Sequence, residues 1–151
     1  MKRFTKLSLL FFAAILVFTS CDEETYADWK ILNEKKYAEE VAAKTDYTLT
    51  ESGLCYQIIY PGEVKQANIN SYVTVRYTGK LITGVVFDSG TYTGYLSNTV
   101  VGWQQAITKL KIGGSMDFFF PTELGYGETK NAKVPPYSML YFSVELLNAQ
   151  N

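Results

Sequence analysis

The chain contains no histidine, so its chemistry must run on carboxylates, tyrosines, lysines or the shape of an apolar surface. Imidazole bases, His-dependent triads and His-based zinc sites are excluded on that ground. Four places bring useful groups together. Asp88 follows Phe87 and precedes Ser89-Gly90, a carboxylate beside a buriable ring. Trp103 opens a stretch in which Trp103, Ala106, Ile107 and Leu110 fall at i, i+3, i+4 and i+7, one face of a short helix. Tyr126 stands between Gly125 and Gly127, and a flexible turn rarely presents a large aromatic without a use. Phe142 lies in the stretch 140–147, which reads as the final strand. On residue type alone Phe87, Trp103, Val134 and Phe142 read as core, and Asp88 as a turn residue bonding its own backbone.

The elements that must position these groups are mostly strands. Val73, Val75 and Tyr77 alternate with Thr74, Arg76 and Thr78, a period-2 pattern that Gly79 should stop. A second apolar run, 85–87, follows Thr83-Gly84 and reads as its antiparallel neighbour, with a turn at Ser89-Gly90. Upstream, 48–60 turns at Ser52-Gly53, then places Leu54, Tyr56 and Ile58 on one face before Pro61-Gly62. Cys55 falls on the opposite face, a spare thiol with nothing nearby to lower its pKa. Strands are also expected over 116–120, where Phe118 and Phe120 share a face, and over 140–147. One short helix among five or six antiparallel strands predicts an α+β domain, a curved half-barrel sheet wrapped on that helix.

The N-terminus reads as a targeting segment. Lys2, Arg3 and Lys6 precede an apolar run over 9–18, too short to span a membrane comfortably, which takes about 20 residues. Thr19-Ser20 before Cys21 resembles a lipobox, with Phe18 where Leu is the common choice; the competing reading is an ordinary signal peptide cut near Ser20. The expected organisation is a leader over 1–20, an acidic tether and helix over 21–49, and a domain over 50–151. Lipidation at Cys21 would place the protein in a bacterial cell envelope, on the periplasmic or the surface side of the outer membrane. Asp22-Glu23-Glu24 fits either a surface-display signal or a solvated linker suited to a helix N-terminus. Residues 26–44 lack Gly and Pro and follow the weak capping box Thr25-Tyr26-Ala27-Asp28. Four opposite-charge pairs four residues apart, Lys30/Glu34, Lys35/Glu39, Lys36/Glu40 and Glu40/Lys44, support a helix with Trp29, Tyr37 and Val41 on one flank. Such a helix would lift the domain off a membrane or dock loosely on it.

Losing the leader removes three basic residues and no acidic one, and the mildly acidic remainder argues against nucleic acid as a partner. With Cys21 acylated, Cys55 is the sole remaining thiol and no intrachain disulfide forms. Twelve Tyr and nine Phe suit a domain built around an aromatic cavity, although strand packing also uses them.

Taken in order, the stretch 72–90, Gly102-Trp103, Gly125-Tyr126-Gly127, Pro135-Pro136 and Phe142 resemble the FKBP-type peptidyl-prolyl cis-trans isomerases over about residues 50–148. The resemblance implies a cup for a proline ring, floored by Trp103 and walled by Tyr77, Phe87 and Phe142. It further implies that the Val100 N–H and the Tyr126 hydroxyl hold substrate carbonyls. Val134 would be the apolar flap, and Asp88 the rim carboxylate that orients Tyr77. Tyr77, Phe87, Asp88, Tyr126 and Phe142 are thus the expected catalytic set, and Val100, Trp103 and Val134 the substrate-binding set. No metal or cofactor is implied. The expected partners are X-Pro segments of unfolded or exported polypeptides, a membrane reached through the lipid anchor, and a macrolide in the same cup. Two loops depart from the family pattern. Between Phe87 and Trp103 the chain is shorter, leaving Tyr92 and Tyr95 as alternative suppliers of a missing aromatic wall. The loop 128–133 is also shorter and lacks the aromatic or histidine often found there. Both frame the cup entrance, so weak or selective activity is expected. The alternative from another class is a non-catalytic module that captures proline-containing segments. A purely structural lipoprotein would have no need of the cup residues.

Overall fold

A computed structural model describes residues 22–151; the leader and the lipobox-like Cys21 lie outside the described residues. Helix α1 (Asp22–Ala43) is followed by strands β1 (Thr48–Leu49), β2 (Cys55–Tyr60), β3 (Tyr72–Lys80) and β4 (Val86–Tyr95), helix α2 (Val101–Ile107), and strands β5 (Ser115–Phe120) and β6 (Leu140–Gln150). The strands form one antiparallel sheet in the order β1-β2-β5-β6-β3-β4. The α+β architecture expected from the strand patterns is present.

Alternation sorts the side chains onto two faces. Val73, Val75, Phe118, Phe120, Leu140, Phe142, Val144 and Leu146 point inward, where Trp103, Ala106, Ile107 and Leu110 of the α2 region meet them. Gly102 makes the close approach of α2 possible, because a Cβ there would lie 2.3 Å from the Phe120 ring.

Part of the outer face is also covered. Cys55, Phe119 and Met139 are buried there beneath Tyr37 and Val41 of α1, with Tyr47 and Tyr141 alongside. That second layer explains the unbroken Phe118-Phe119-Phe120 run, since a strand buried on both faces has no polar side. Tyr37 meets Phe119 edge-on at 6.0 Å and donates its hydroxyl to the Gly53 carbonyl at 2.8 Å. α1 is therefore seated on this part of the sheet by Tyr37 and Val41, with most of its own surface exposed.

Three local expectations are corrected. α1 spans Asp22–Ala43, which puts Thr25 inside the helix rather than at its cap. Two of the four anticipated ion pairs form, Lys35–Glu39 at 3.9 Å and Lys36–Glu40 at 2.8 Å. Lys30 and Lys44 instead lie over the rings of Tyr137 and Tyr47. Gly79 does not end β3, and Ser89-Gly90 is not a turn: β3 continues to Lys80 and β4 runs on to Tyr95. Pairing of β3 with β4 on one side and β6 on the other carries the chain through both glycine positions.

Candidate functional site

The cavity between α2 and the β3–β4 end of the sheet has a volume of about 260 Å³, just under the ~300–1,000 Å³ usual for drug-sized ligands. Tyr77, Phe87, Asp88, Tyr92, Val100, Trp103, Tyr126 and Phe142 line it, with Asn98 and Thr99. Two larger clefts, about 400 and 370 Å³, lie beside α1, and neither includes Trp103, Val100 or Tyr126.

Trp103 forms the floor because α2 directs its apolar stripe at the sheet. The indole is 5% exposed and takes three edge-to-face partners: Tyr77 at 5.2 Å, Phe142 at 5.4 Å and Tyr92 at 6.0 Å. Such contacts contribute about 0.5–1.5 kcal/mol each beyond area burial, so the rings hold one another in place.

Register explains the walls. Val75 pairs with Tyr92 and Tyr77 with Gly90, so Tyr92 shares the inner face, whereas Tyr95 pairs with Tyr72 on the other parity. Tyr95 accordingly packs on Tyr72 at 5.2 Å and is half exposed. Of the two tyrosines left open by the sequence, Tyr92 is the wall.

Between Gly79/Asp88 and Lys80/Val86 the register slips by one residue, and Phe87 is the extra one. This bulge lets consecutive residues Phe87 and Asp88 both reach the cavity, where a regular strand would send one away. Phe87 then meets Phe142 edge-on at 5.7 Å across Gly79. A Cβ on Gly79 would lie 2.6 Å from Phe87 and 2.7 Å from Phe142, so this position is empty for steric reasons.

The rim is polar. Tyr77 donates its hydroxyl to Asp88 Oδ2 at 2.7 Å, and Lys133 Nζ donates to Asp88 Oδ1 at 2.8 Å. The Lys133 hydrogen bond, then that of Tyr77, holds the Asp88 carboxyl below the ordinary carboxylate range. Burial, reinforced by Asp88, pushes the Tyr77 hydroxyl up to about 12. Burial, with the Asp88 charge behind it, also raises Tyr126. Both tyrosines are therefore donors at neutral pH. Among the described residues, neither the Tyr126 hydroxyl nor the Val100 N–H meets an acceptor, while the Val100 carbonyl accepts the N–H groups of Trp103 and Gln104. The cavity thus has an apolar floor and two unengaged donors at its edge.

Seven of the eight expected site residues line this space. Val134 does not: it is 2% exposed and belongs to the main core, packed away from the recess rather than forming its flap. The sequence left Tyr92 and Tyr95 open, and only the strand register chose between them. Asn98, Thr99 and Lys133 escaped sequence reasoning, Lys133 because it needed the fold of a loop whose residues look solvated one by one. Cys55 stays outside the site, 1% exposed, its thiol pushed up by burial.

An aromatic recess with donors at its rim and no reactive nucleophile defines a class of noncovalent binding sites for a small, rigid apolar ring. The sequence family with that architecture is the FKBP-type peptidyl-prolyl cis-trans isomerase family, whose model matches residues 63–147; the chain belongs to it. An FKBP-type 22 kDa peptidyl-prolyl cis-trans isomerase of Escherichia coli K12 is 42% identical over 118 residues, covering 74% of this chain and 57% of that protein. A probable FKBP-type isomerase FkpA of Neisseria meningitidis is 40% identical over 133 residues, covering 83% of this chain and 49% of its own. The chain spans about half the length of these relatives. The crystal structure of FkpA from Escherichia coli superposes with a TM-score of 0.77 at 30% identity, covering 84% of this chain and 62% of that one. A Pseudomonas syringae isomerase structure, at 24% identity and TM-score 0.73, shares the fold over 88% of this chain and 99% of that one.

Proposed function

We propose that this chain catalyses cis-trans isomerisation of X-Pro bonds in unfolded or exported polypeptides, with no covalent step and no cofactor. Rotation about an amide breaks its resonance against a barrier of about 18–20 kcal/mol, and uncatalysed X-Pro exchange takes tens to hundreds of seconds. The twisted amide has lost conjugation and carries a smaller dipole than either planar isomer. A dry recess walled by Tyr77, Phe87, Tyr92 and Phe142 over Trp103 therefore disfavours the planar forms more than the twisted one. The Val100 N–H and Tyr126 O–H would fix carbonyls on either side of the rotating bond, and Asp88 keeps Tyr77 turned into the wall. Every 1.4 kcal/mol of preferential stabilisation is about tenfold in rate.

The single observation that carries this reading is the convergence of the rings on one open floor, with two donors unengaged beside it. A protease-coupled proline-peptide assay tests it. Rates above background that fall on Phe87→Ala support catalysis. Rates equal to background, with peptide still bound, would make the protein a proline-binding module. The same cup would accept a macrolide, read as a change in Trp103 emission; Trp29, the other tryptophan, does not line the cavity.

The leader pattern supports a lipid anchor on Cys21 and residence at a bacterial envelope membrane. A multi-acyl anchor would hold firmly, since each buried CH2 contributes about 0.8 kcal/mol. Detergent-phase partitioning of the native chain, lost on Cys21→Ser, tests the anchor independently of activity.

A further inference from the structure

Helix α1 and the cavity lie on opposite faces of the sheet, yet one loop touches both. Trp29 Nε1–H donates to Ser138 Oγ at 3.0 Å, and Ser138 Oγ donates to the Pro135 carbonyl at 2.8 Å. Asn33, only 3% exposed, donates through Nδ2 to the Trp29 carbonyl at 2.8 Å and accepts the Met139 N–H on Oδ1 at 2.9 Å. Ser138 and Met139 are themselves buried. Just before the two attachment points, Tyr137 holds a left-handed backbone with φ 62°, a conformation that persists in a bulky residue only where its surroundings impose it. Its N–H donates to the Gly127 carbonyl at 2.8 Å, which also accepts from Thr122 Oγ1 at 3.0 Å, and Lys30 lies 5.0 Å over its ring.

The loop 127–137 is thus closed at its base, and the closure is fastened to α1. At its far side Lys133 bonds Asp88 at 2.8 Å, and Asp88 bonds Tyr77 of the cavity wall at 2.7 Å. A side chain as long and exposed as Lys133 holds one geometry only when its backbone is anchored, because its rotamer entropy otherwise opposes the contact.

We propose that Asn33 and Trp29 are positioning residues of the cavity: by fixing 135–139 they place Lys133 on Asp88 and so orient the Tyr77 wall. This rests on reading the cavity as the prolyl site, and it makes α1 part of the functional unit rather than a spacer. Buried amides at the end of such a chain act as struts, since a Met139 N–H without Asn33 would be a buried donor with no acceptor.

The test follows the Asp88 side-chain carboxyl by carbon NMR through an acid titration of the full chain. The groups facing it are Tyr77 from β3, Lys133 from the loop, Tyr126 from the preceding turn and the neighbouring Ser89 N–H. Lys133→Met should raise the midpoint, because the strongest partner of the carboxylate is gone. Asn33→Ala and Trp29→Phe should each raise it most of the way to the Lys133→Met value, although neither residue touches Asp88. In peptide assays Asn33→Ala should lower kcat/KM several-fold, chiefly through KM, and Asn33→Ala with Lys133→Met should be no worse than Lys133→Met alone. Trp29→Phe removes the indole N–H and keeps a smaller aromatic ring in its place, so it decides the matter if Asn33→Ala fails to fold. An unmoved midpoint in folded Trp29→Phe, or an Asp88 that ignores Lys133→Met, would overturn the proposal. A wild-type chain without isomerase activity would remove the functional reading and leave the titration result standing.

Discussion

The hydroxyl of Tyr77 lies 2.7 Å from Asp88 Oδ2, joining a ring of the cavity wall to the carboxylate at its rim. Tyr77 comes from β3 and Asp88 from β4, and the bulge at Phe87 brings Asp88 into reach. One bond therefore couples the shape of the recess to the charge at its edge.

That coupling has an alkaline signature. The folded Tyr77 hydroxyl is raised to about 12 by burial and then by Asp88, against roughly 10 in an unfolded chain. A raised value means the folded state holds the proton more tightly, so the associated stability is complete below about pH 10 and is lost as pH climbs through 12. Urea melts across this window should show a shallower alkaline decline for Tyr77→Phe than for wild type. Other raised tyrosines keep some slope in the variant.

Asp88 has the opposite sign. Its folded value is lowered by Lys133 and Tyr77, so its contribution is present above the unfolded value near 3.9 and is lost as pH falls through the lowered folded one. Asp88→Asn should flatten the acid limb of the stability profile while leaving stability at pH 7 within about 1 kcal/mol, as expected of a solvent-exposed ion pair. Thermal melts from pH 2 to 7 measure it.

Gly79→Ala should damage function more than folding. The new Cβ would sit 2.6 Å from Phe87 and 2.7 Å from Phe142 and force the two rings apart. Overpacking of this kind costs about 1–3 kcal/mol. Chemical denaturation should show that loss, and the proline-peptide assay a larger one, because the displaced rings are the cavity walls.

Tyr126→Phe separates the roles differently. The hydroxyl has no partner among the described residues, so its removal should leave the melting temperature unchanged. Loss of a carbonyl-holding donor should lower kcat/KM on the order of tenfold, about 1.4 kcal/mol. An equal fall in stability and activity would count against a substrate contact.

Phe119→Ala empties the outer layer on which α1 rests. The ring packs against Tyr37, Tyr47 and Tyr141, and deleting a buried Phe typically costs about 3–5 kcal/mol. Limited proteolysis should then cut between α1 and β2 sooner than in wild type.

The amino-acid order by itself determined whatever depends on neighbours within a few residues. The alternation of Val73, Val75 and Tyr77 specified a strand face, and the spacing of Trp103, Ala106, Ile107 and Leu110 specified a helix face, since these periods follow from backbone geometry. The glycine positions misled for the same reason: locally Gly79 and Ser89-Gly90 look like breaks, and pairing on both sides of β3 overrides them. What only tertiary structure decided is where distant segments meet. The choice of Tyr92 over Tyr95 is a matter of register, the burial of Val134 a matter of how its loop seats, and the Lys133–Asp88 bond joins residues with no local relation. So does the docking of Asn33 on Met139. Such contacts follow from long-range closure of the chain, which no short window of sequence contains.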